Sequence, residues 1–503
     1  MKIPKFTGLC SLLYLIQMIL IVSRVKLTYI LVWILVNLCI PETPVIDSVP
    51  RCGYPMCDQE CAEDETHQQE CKILSRGQKP TFDENGETEA YHCILPLRLL
   101  LLSRQDPDRF SLSDHLMDHE EERHGSEDWK TTERTVVDNL VNICGGAEHE
   151  NMTVGEVRRA LGVLEVNCYE VYSFIKKIGA HSCGLRGCFP AASLLSHSCL
   201  ANSRHIWGTC PPYTNTCIAT TDIEAGQEIV TSYAHPTTSQ IRRRKKLKAG
   251  WYFECSCKRC CSKDELGTNH STMVCPECSK ATLLPVDPLE LGSPWICECG
   301  LVATEDEISS TIDKLHDGIK KITDSNRYNM DLWLRLVDFA LKSVHHHHDV
   351  IIEIAKFLIP IMCRGPGMTT DDFPLELVRR KLQIATWHYD VVKVIDPGYS
   401  KSRIKMLYEI TETKIFLMFR EKNIDRDNRK DLVITALNDL SQIIIVMERL
   451  IPDKGFETMI VAAARNLHSK CKEIKNQLES NSFNKNLWIE ESWYLLDLCY
   501  YEN

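Results

Sequence analysis

Thiols and imidazoles carry the metal chemistry open to this chain. Cys255-x-Cys257-x-x-Cys260 supplies three thiolates at chelating spacing, and Ser196-His197-Ser198-Cys199 lies upstream with a fourth. A structural zinc takes four thiolate or imidazole ligands in a tetrahedron. Cys199 is the expected fourth ligand, and the metal would then clamp the downstream loop onto the Ser196–Cys199 segment and close a pocket over it. A second set, Cys275-Pro-Glu-Cys278 and Cys297-Glu-Cys299 closed by Gly300, has the spacing of a zinc ribbon. Four thiolates leave no open coordination position, so this zinc would be structural. A third set, Cys52, Cys57, Cys61, His67 and Cys71, holds one ligand too many for one zinc and too few for two.

The elements that must position these groups follow from periodicity and breakers. The apolar run Tyr91–Leu102 predicts a buried helix. Val136–Ile143 and Val154–Leu164 with Val166 predict two more, broken by Gly145-Gly146. Ser111–Trp129, charged and histidine-rich, reads as a solvated helical face. Asn167 sits as a cap or turn residue before the β-like Tyr169–Ile175. Cys217–Thr220, the turn Asp222–Ile229 and Val230–Tyr233 read strand, turn, strand. The basic run Ile241–Lys248 predicts a helix ending at Gly250, read as a solvated face, a nuclear signal or a phosphate patch. From Ile308 onward cysteine nearly disappears. Seven amphipathic helices are expected over Ile308–Ile322, Met330–Val344, Val350–Ile361, Leu375–Ile395, Ser402–Arg420, Leu432–Leu450 and Gly455–Leu478. His345–His348, at a helix end, are expected to be solvated.

With 503 residues, the chain is long enough for several domains. All of its 25 cysteines except Cys10, Cys39, Cys363, Cys471 and Cys499 fall between Cys52 and Cys299. Their short spacings, mixed with histidine, indicate metal rather than a disulfide framework, and hence a reducing compartment. A net charge of -11 gives no strong sign of nucleic-acid binding. Leu9–Val22 and Leu27–Ile40 are apolar runs broken by Arg24 and Lys26. Three readings stand for them: a membrane anchor, a signal peptide, or sequence foreign to the functional protein. A membrane location is expected only if residues 1–40 are genuine.

Three features carry a family resemblance: Ser196-His197-Ser198-Cys199, the Ala225–Ile229 turn with Ser232-Tyr233, and Trp251-x-Phe253-x-Cys255-x-Cys257-x-x-Cys260. The segment 51–261 resembles the SMYD family of SET and MYND proteins, in its arthropod-type branch. The fold this implies is α+β: a β-rich SET domain with a zinc-binding MYND remnant and post-SET modules, then an all-α, TPR-like helical domain. The expected divisions are 1–50 (hydrophobic, outside the family match), 51–71 (partial MYND finger), 72–233 (SET, incomplete at its start), 234–261 (post-SET zinc), 262–305 (zinc-ribbon-like) and 306–503 (helical). The resemblance implies protein-lysine methylation with S-adenosylmethionine as donor and zinc (Zn2+) as structural metal. Tyr233 would be the catalytic tyrosine. Ser196, His197, Asn167 and His119 would contact the cofactor, with Tyr252 and Phe253 near the adenine or the lysine channel. In the MYND remnant, Cys57 and Cys61 would belong to one site and Cys52, His67 and Cys71 to the other.

The implied substrate is a protein or peptide lysine, histones included, in a nuclear and cytoplasmic protein that regulates transcription. A complete MYND module would also take proline-containing peptides. The family's Gly-x-Gly turn is not found in residues 1–51, and Ser196 stands where the family usually has Asn. The expectation is therefore that residues 1–50 replace the true start of the module. Membership of the enzyme class stays open against a catalytically silent, zinc-containing interaction module.

Overall fold

The computed structural model describes residues 29–31, 51–54, 62–63, 65–81, 92–144, 152–173, 183–207, 215–363, 372–421, 423–450, 457–480 and 482. Cys57 and Cys61 lie outside the described residues, as does the 1–50 leader apart from residues 29–31. Among the described residues no helix is long and apolar enough to cross a membrane.

The first part of the chain is a helical layer. It comprises α1 (Glu65–Leu74), α2 (Ile94–Gln105), α3 (Pro107–Asp114), α4 (Glu120–Arg123), α5 (Glu127–Thr132), a π-turn over Glu133–Val137 continuing into α6 (Asp138–Cys144), and α7 (Val154–Asn167). α7 begins where the sequence caps it. The Thr153 hydroxyl accepts from Glu156 N–H, and the Glu156 carboxylate accepts from Thr153 N–H, which satisfies two first-turn donors. Val157, Ala160, Leu161 and Leu164 then form one buried stripe, in a core shared with Leu97 of α2 and Leu140 of α6. Gly162 is required by a crossing: a Cβ there would lie 2.7 Å from Asp118 Cβ and 2.8 Å from Asp118 O. The expected solvated face at 111–129 is therefore only partly so. Arg123 and Trp129 are buried, because Arg123 pairs with Glu165 of α7 and lies over the Trp129 ring.

Small sheets follow. β2 (Cys168–Ser173) and β3 (Cys183–Cys188) are antiparallel, with Cys168 opposite Cys188. After the short α8 (Pro190–Ser193), β4 (Ser196–His197) runs parallel to β7 (Val230–Thr231), with Ser196 opposite Val230 and His197 opposite Thr231. β5 (Ser203–Trp207) and β6 (Asn215–Ala219) pair antiparallel, and β1 (Tyr29–Leu31) adds to the far edge of β6, with Tyr29 opposite Cys217. Three residues of the apolar leader thus pair with the β5–β6 sheet.

The helix α9 (Gln240–Trp251) leads to a four-stranded ribbon, β8 (Met273–Val274), β9 (Thr282–Pro285), β10 (Trp295–Ile296) and β11 (Val302–Ala303), in the order β11-β10-β9-β8. Among the described residues seven helices follow: α10 (Glu305–Asn326), α11 (Met330–Ala340), α12 (Asp349–Ile361), α13 (Leu375–Ile395), α14 (Lys401–Arg420), α15 (Arg426–Leu450) and α16 (Glu457–Glu479). α10 repeats the capping box with Thr304 and Glu307 and buries Ile308, Ile312, Leu315 and Ile319. One continuous core runs from Ile241 through Trp295 of the ribbon to Trp333 and Leu358. Ribbon and helices are therefore packed as a unit.

The helical part also meets the sheets at the 396–400 turn. Arg204 pairs with Asp396 at 2.5 Å, and Tyr399 N–H donates to Thr220 O. Gly398 has φ +75, and a Cβ on it would sit 1.7 Å from Thr220 O. Gly398→Ala should cost about 1–3 kcal/mol by overpacking, read as a lower urea midpoint. Gly226→Ala, at φ +85 with open space around it, controls for backbone strain alone. Equal losses in the two variants would refute the steric account.

Candidate functional site

The four thiols Cys199, Cys255, Cys257 and Cys260 offer sulfurs within 4.8 Å of one another. Cys199 Sγ lies 3.9 Å from Cys255 Sγ and 3.5 Å from Cys260 Sγ. A tetrahedron with ~2.3 Å Zn–S bonds has edges of ~3.8 Å, so the donor set fits zinc. Cys199 closes the end of β4, and the other three sit in the turn after α9. Cys261, next in sequence, is exposed and donates to Ser256 O instead.

Charge compensation surrounds this cluster. Arg243 donates from Nε toward Cys199 Sγ at 3.4 Å and from Nη1 to Glu265 at 2.7 Å. Arg259 donates to the same carboxylate from Nε at 2.6 Å. All three side chains are fully buried. Ser271 and the Gln240 N–H complete the shell of Glu265. Burial alone would raise the Glu265 pKa, but Arg243 and Arg259 outweigh it and hold it at about 2. The basic run at 241–248 is consequently not the solvated helix the sequence predicts. One of its faces, with Arg243, Arg244 and Leu247, is buried, because the helix seats two guanidiniums against the thiols, a carboxylate and the Leu289 carbonyl.

His197 joins the thiols to the aromatic groups. Its Nδ1 accepts the Tyr233 N–H at 2.9 Å, and its Nε2 lies 3.2 Å from Cys199 Sγ. The ring is thus used structurally, and any contact with a cofactor would run through its main chain. The His197 ring centroid is 5.2 Å from Tyr233 and 5.7 Å from Phe253, and Trp251 lies 5.3 Å from Tyr233. The Tyr233 hydroxyl donates to Leu195 O at 2.5 Å. Burial raises its pKa, so the phenol is protonated at neutral pH. Ser196 is exposed.

The remaining predicted cofactor residues gather along the neighbouring edge. His119 and Tyr252 both hold left-handed backbone, φ 49 and 58, and their rings face each other at 5.1 Å. Non-glycine residues rarely adopt this region. Asn167 donates both amide protons, to Met117 O and Val163 O at 2.8 Å each, and its own carbonyl accepts from Ser193. Asn167 thereby fixes the approach of the His119 segment, while Tyr252 and Phe253, adjacent in sequence, span the two groups.

Sequence reasoning missed Arg243, Arg259 and Glu265, and also Tyr169, which packs edge-on to Phe189 at 6.1 Å and against His205. The basic run was the one available signal for Arg243. Glu265 and Arg259 had none, since the pairing depends on a turn with φ 54 at Glu265.

Two further donor sets are assembled. Cys275 and Cys299 lie 3.6 Å apart and Cys278 and Cys297 3.8 Å, at the two knuckles of the ribbon. Cys52, His67 and Cys71 come together, with Cys52 Sγ 3.8 Å from His67 Nε2.

No family profile matches the chain. It is 26% identical over 257 residues to the SET domain-containing protein SmydA-8, isoform A, of Drosophila melanogaster, covering 49% of this chain and 51% of that protein. It is 37% identical over 84 residues to the histone-lysine N-methyltransferase SET5 of Meyerozyma guilliermondii, covering 16% of this chain and 17% of that protein. It is 35% identical over 79 residues to the human histone-lysine N-methyltransferase SMYD3, covering 16% of this chain and 18% of that protein. The chain spans about half the length, at most, of the curated relatives it matches.

Proposed function

We propose that this chain, a relative of the SMYD-family SET proteins of the arthropod type, is a protein-lysine methyltransferase that uses S-adenosylmethionine, with histones among its substrates. The observation that carries this reading is the aromatic cluster of Tyr233, Phe253 and Trp251 around the His197 ring, with the Tyr233 hydroxyl on Leu195 O, beside the Cys199 thiol cluster. When bound, the donor supplies an electrophilic methyl group on a cationic sulfur. A cation is favoured by aromatic faces and by carbonyl oxygens, and this edge of the fold offers both.

The residues of the chain would then act by position. Tyr233, neutral and held by its hydroxyl at Leu195 O, orients groups brought to that edge and does not serve as a base. His197 fixes the Tyr233 main chain. Phe253, Trp251 and the His119–Tyr252 pair exclude water, which favours an uncharged lysine amine. Zinc on Cys199, Cys255, Cys257 and Cys260 would hold the two segments together, and zinc on the ribbon thiols would be structural. Cys52, His67 and Cys71 would form part of a MYND site for proline-containing peptides.

Tyr233→Phe should keep the fold and zinc content and lower methyl transfer to a histone mixture by about 100-fold, the scale of a small misplacement of reacting groups. Unchanged transfer would sink the assignment of Tyr233. A second reading, a silent interaction module, draws on the engagement of the His197 ring and the Asn167 amide in internal hydrogen bonds. Calorimetry with S-adenosylmethionine separates the two readings. Binding by the zinc-loaded protein supports the enzyme, and absence of binding with zinc retained supports the module.

A further inference from the structure

The turn between α11 and α12 was expected to expose four histidines, and it does not. His348 is fully buried, and His345, His346 and His347 are half-buried. The turn is pinned to the segment before β8: His345 N–H donates to Thr272 O at 3.0 Å, and His270 Nδ1 donates to His347 O at 2.9 Å. This pinning gathers three imidazoles. Ring centroids are 4.0 Å apart for His345 and His346, 4.3 Å for His346 and His347, and 5.1 Å for His345 and His347. One ring nitrogen from each lies within 4.8 Å of the other two.

Hydrogen bonding already selects the donor atom of His347. The Thr268 carbonyl can only accept, so His347 Nδ1, 3.1 Å away, carries the proton and leaves a lone pair on Nε2. His345 Nδ1 accepts the His347 N–H at 3.1 Å, so the neutral ring has its lone pair on Nδ1 and its proton on Nε2, and as a ligand it would exchange that main-chain hydrogen bond for the metal. A carbonyl on the far nitrogen of an imidazole is the usual outer partner of a metal-bound histidine. His346 is held by Trp387 of α13, ring centroids 5.0 Å apart. Asp390, one helical turn further along α13, is paired with Lys393 and acts electrostatically on both His346 and His347.

We infer that His345, His346 and His347 form a further site for a divalent transition metal, a three-imidazole site with no thiolate ligand. Imidazole suits zinc, nickel and copper rather than magnesium or calcium. Three protein nitrogens leave a fourth position for water or for the Asp390 carboxylate. An occupied site would staple the 268–272 segment to α13 across the base of α12.

The test uses the full chain without a histidine tag, its thiolate sites loaded with zinc, titrated with Ni2+ by calorimetry and absorbance. One saturable equivalent of Ni2+, with no sulfur-to-metal charge-transfer band and no zinc released, is expected, together with a raised melting temperature. His346→Ala/His347→Ala should lose that equivalent while keeping its zinc content. Should the double variant fold poorly, Cu2+ added to the zinc-loaded native protein gives a second readout, the nitrogen hyperfine pattern of a multi-imidazole site. No saturable Ni2+ binding, binding that survives the double substitution, or Cu2+ bound without several nitrogens would each overturn the proposal.

Discussion

Cys199→Ser should release one full equivalent of zinc and abolish cooperative unfolding of the 196–260 region. Structural zinc sites are worth ~10–16 kcal/mol of apparent binding energy, far more than a typical core side chain. In this chain the loss reaches further than the metal. The sulfur of Cys199 also partners His197 Nε2 and Arg243 Nε, and His197 holds the Tyr233 main chain. Methyl transfer should therefore fall to background, more severely than in Tyr233→Phe. Cys261→Ser is the control, because its thiol is exposed and only donates to a carbonyl. Metal analysis and a thermal melt decide it: a Cys199→Ser protein with full zinc content and an unchanged melt would refute the clamp.

Glu265→Ala should be the next most damaging change, about 3–5 kcal/mol, the cost of breaking a buried ion pair from one side. It would leave the guanidiniums of Arg243 and Arg259 facing each other with no exposure to water. Adding Arg243→Met should recover part of the loss, since one uncompensated charge is then removed. A chemical denaturation series gives the numbers, and a loss under 1 kcal/mol would dismiss the triad as a stabilising unit. The same carboxylate sets a pH dependence. Its pKa is lowered in the folded protein, from 4.5 to about 2. Its contribution is therefore complete above the unfolded value and is lost as pH falls from about 4.5 through about 2.

The sequence was most readable where a residue's role depends on spacing. The four thiols of the clamp and the four of the ribbon are legible from short Cys spacings and ligand number, and the fold gathers each set. The helices from α10 to α16 were readable from periodicity, with boundaries off by up to six residues: α15 starts at Arg426 rather than Leu432. What could not be read is what depends on packing between distant segments. Arg243 looked like one basic residue among six in Ile241–Lys248. Only the fold brings Glu265 beneath it. The histidines at 345–348 looked polar and therefore solvated, until backbone bonds to residues 270 and 272 drew them inward. Residues 29–31 looked like part of an apolar leader, and strand pairing with β6 is invisible in composition.

The clamp has a consequence for the order in which the protein is made. Cys199 leaves the ribosome well before Cys255, Cys257 and Cys260, and Gly398 emerges later than all of them. The Ser196–Tyr233 edge can therefore be synthesised but not secured until the segment through Cys260 follows. Its partner helices, which rest on Thr220 through the Gly398 turn, come last. Metal capture would then fall between two stretches of synthesis, and zinc supply at that moment would decide how much newborn chain reaches the folded state.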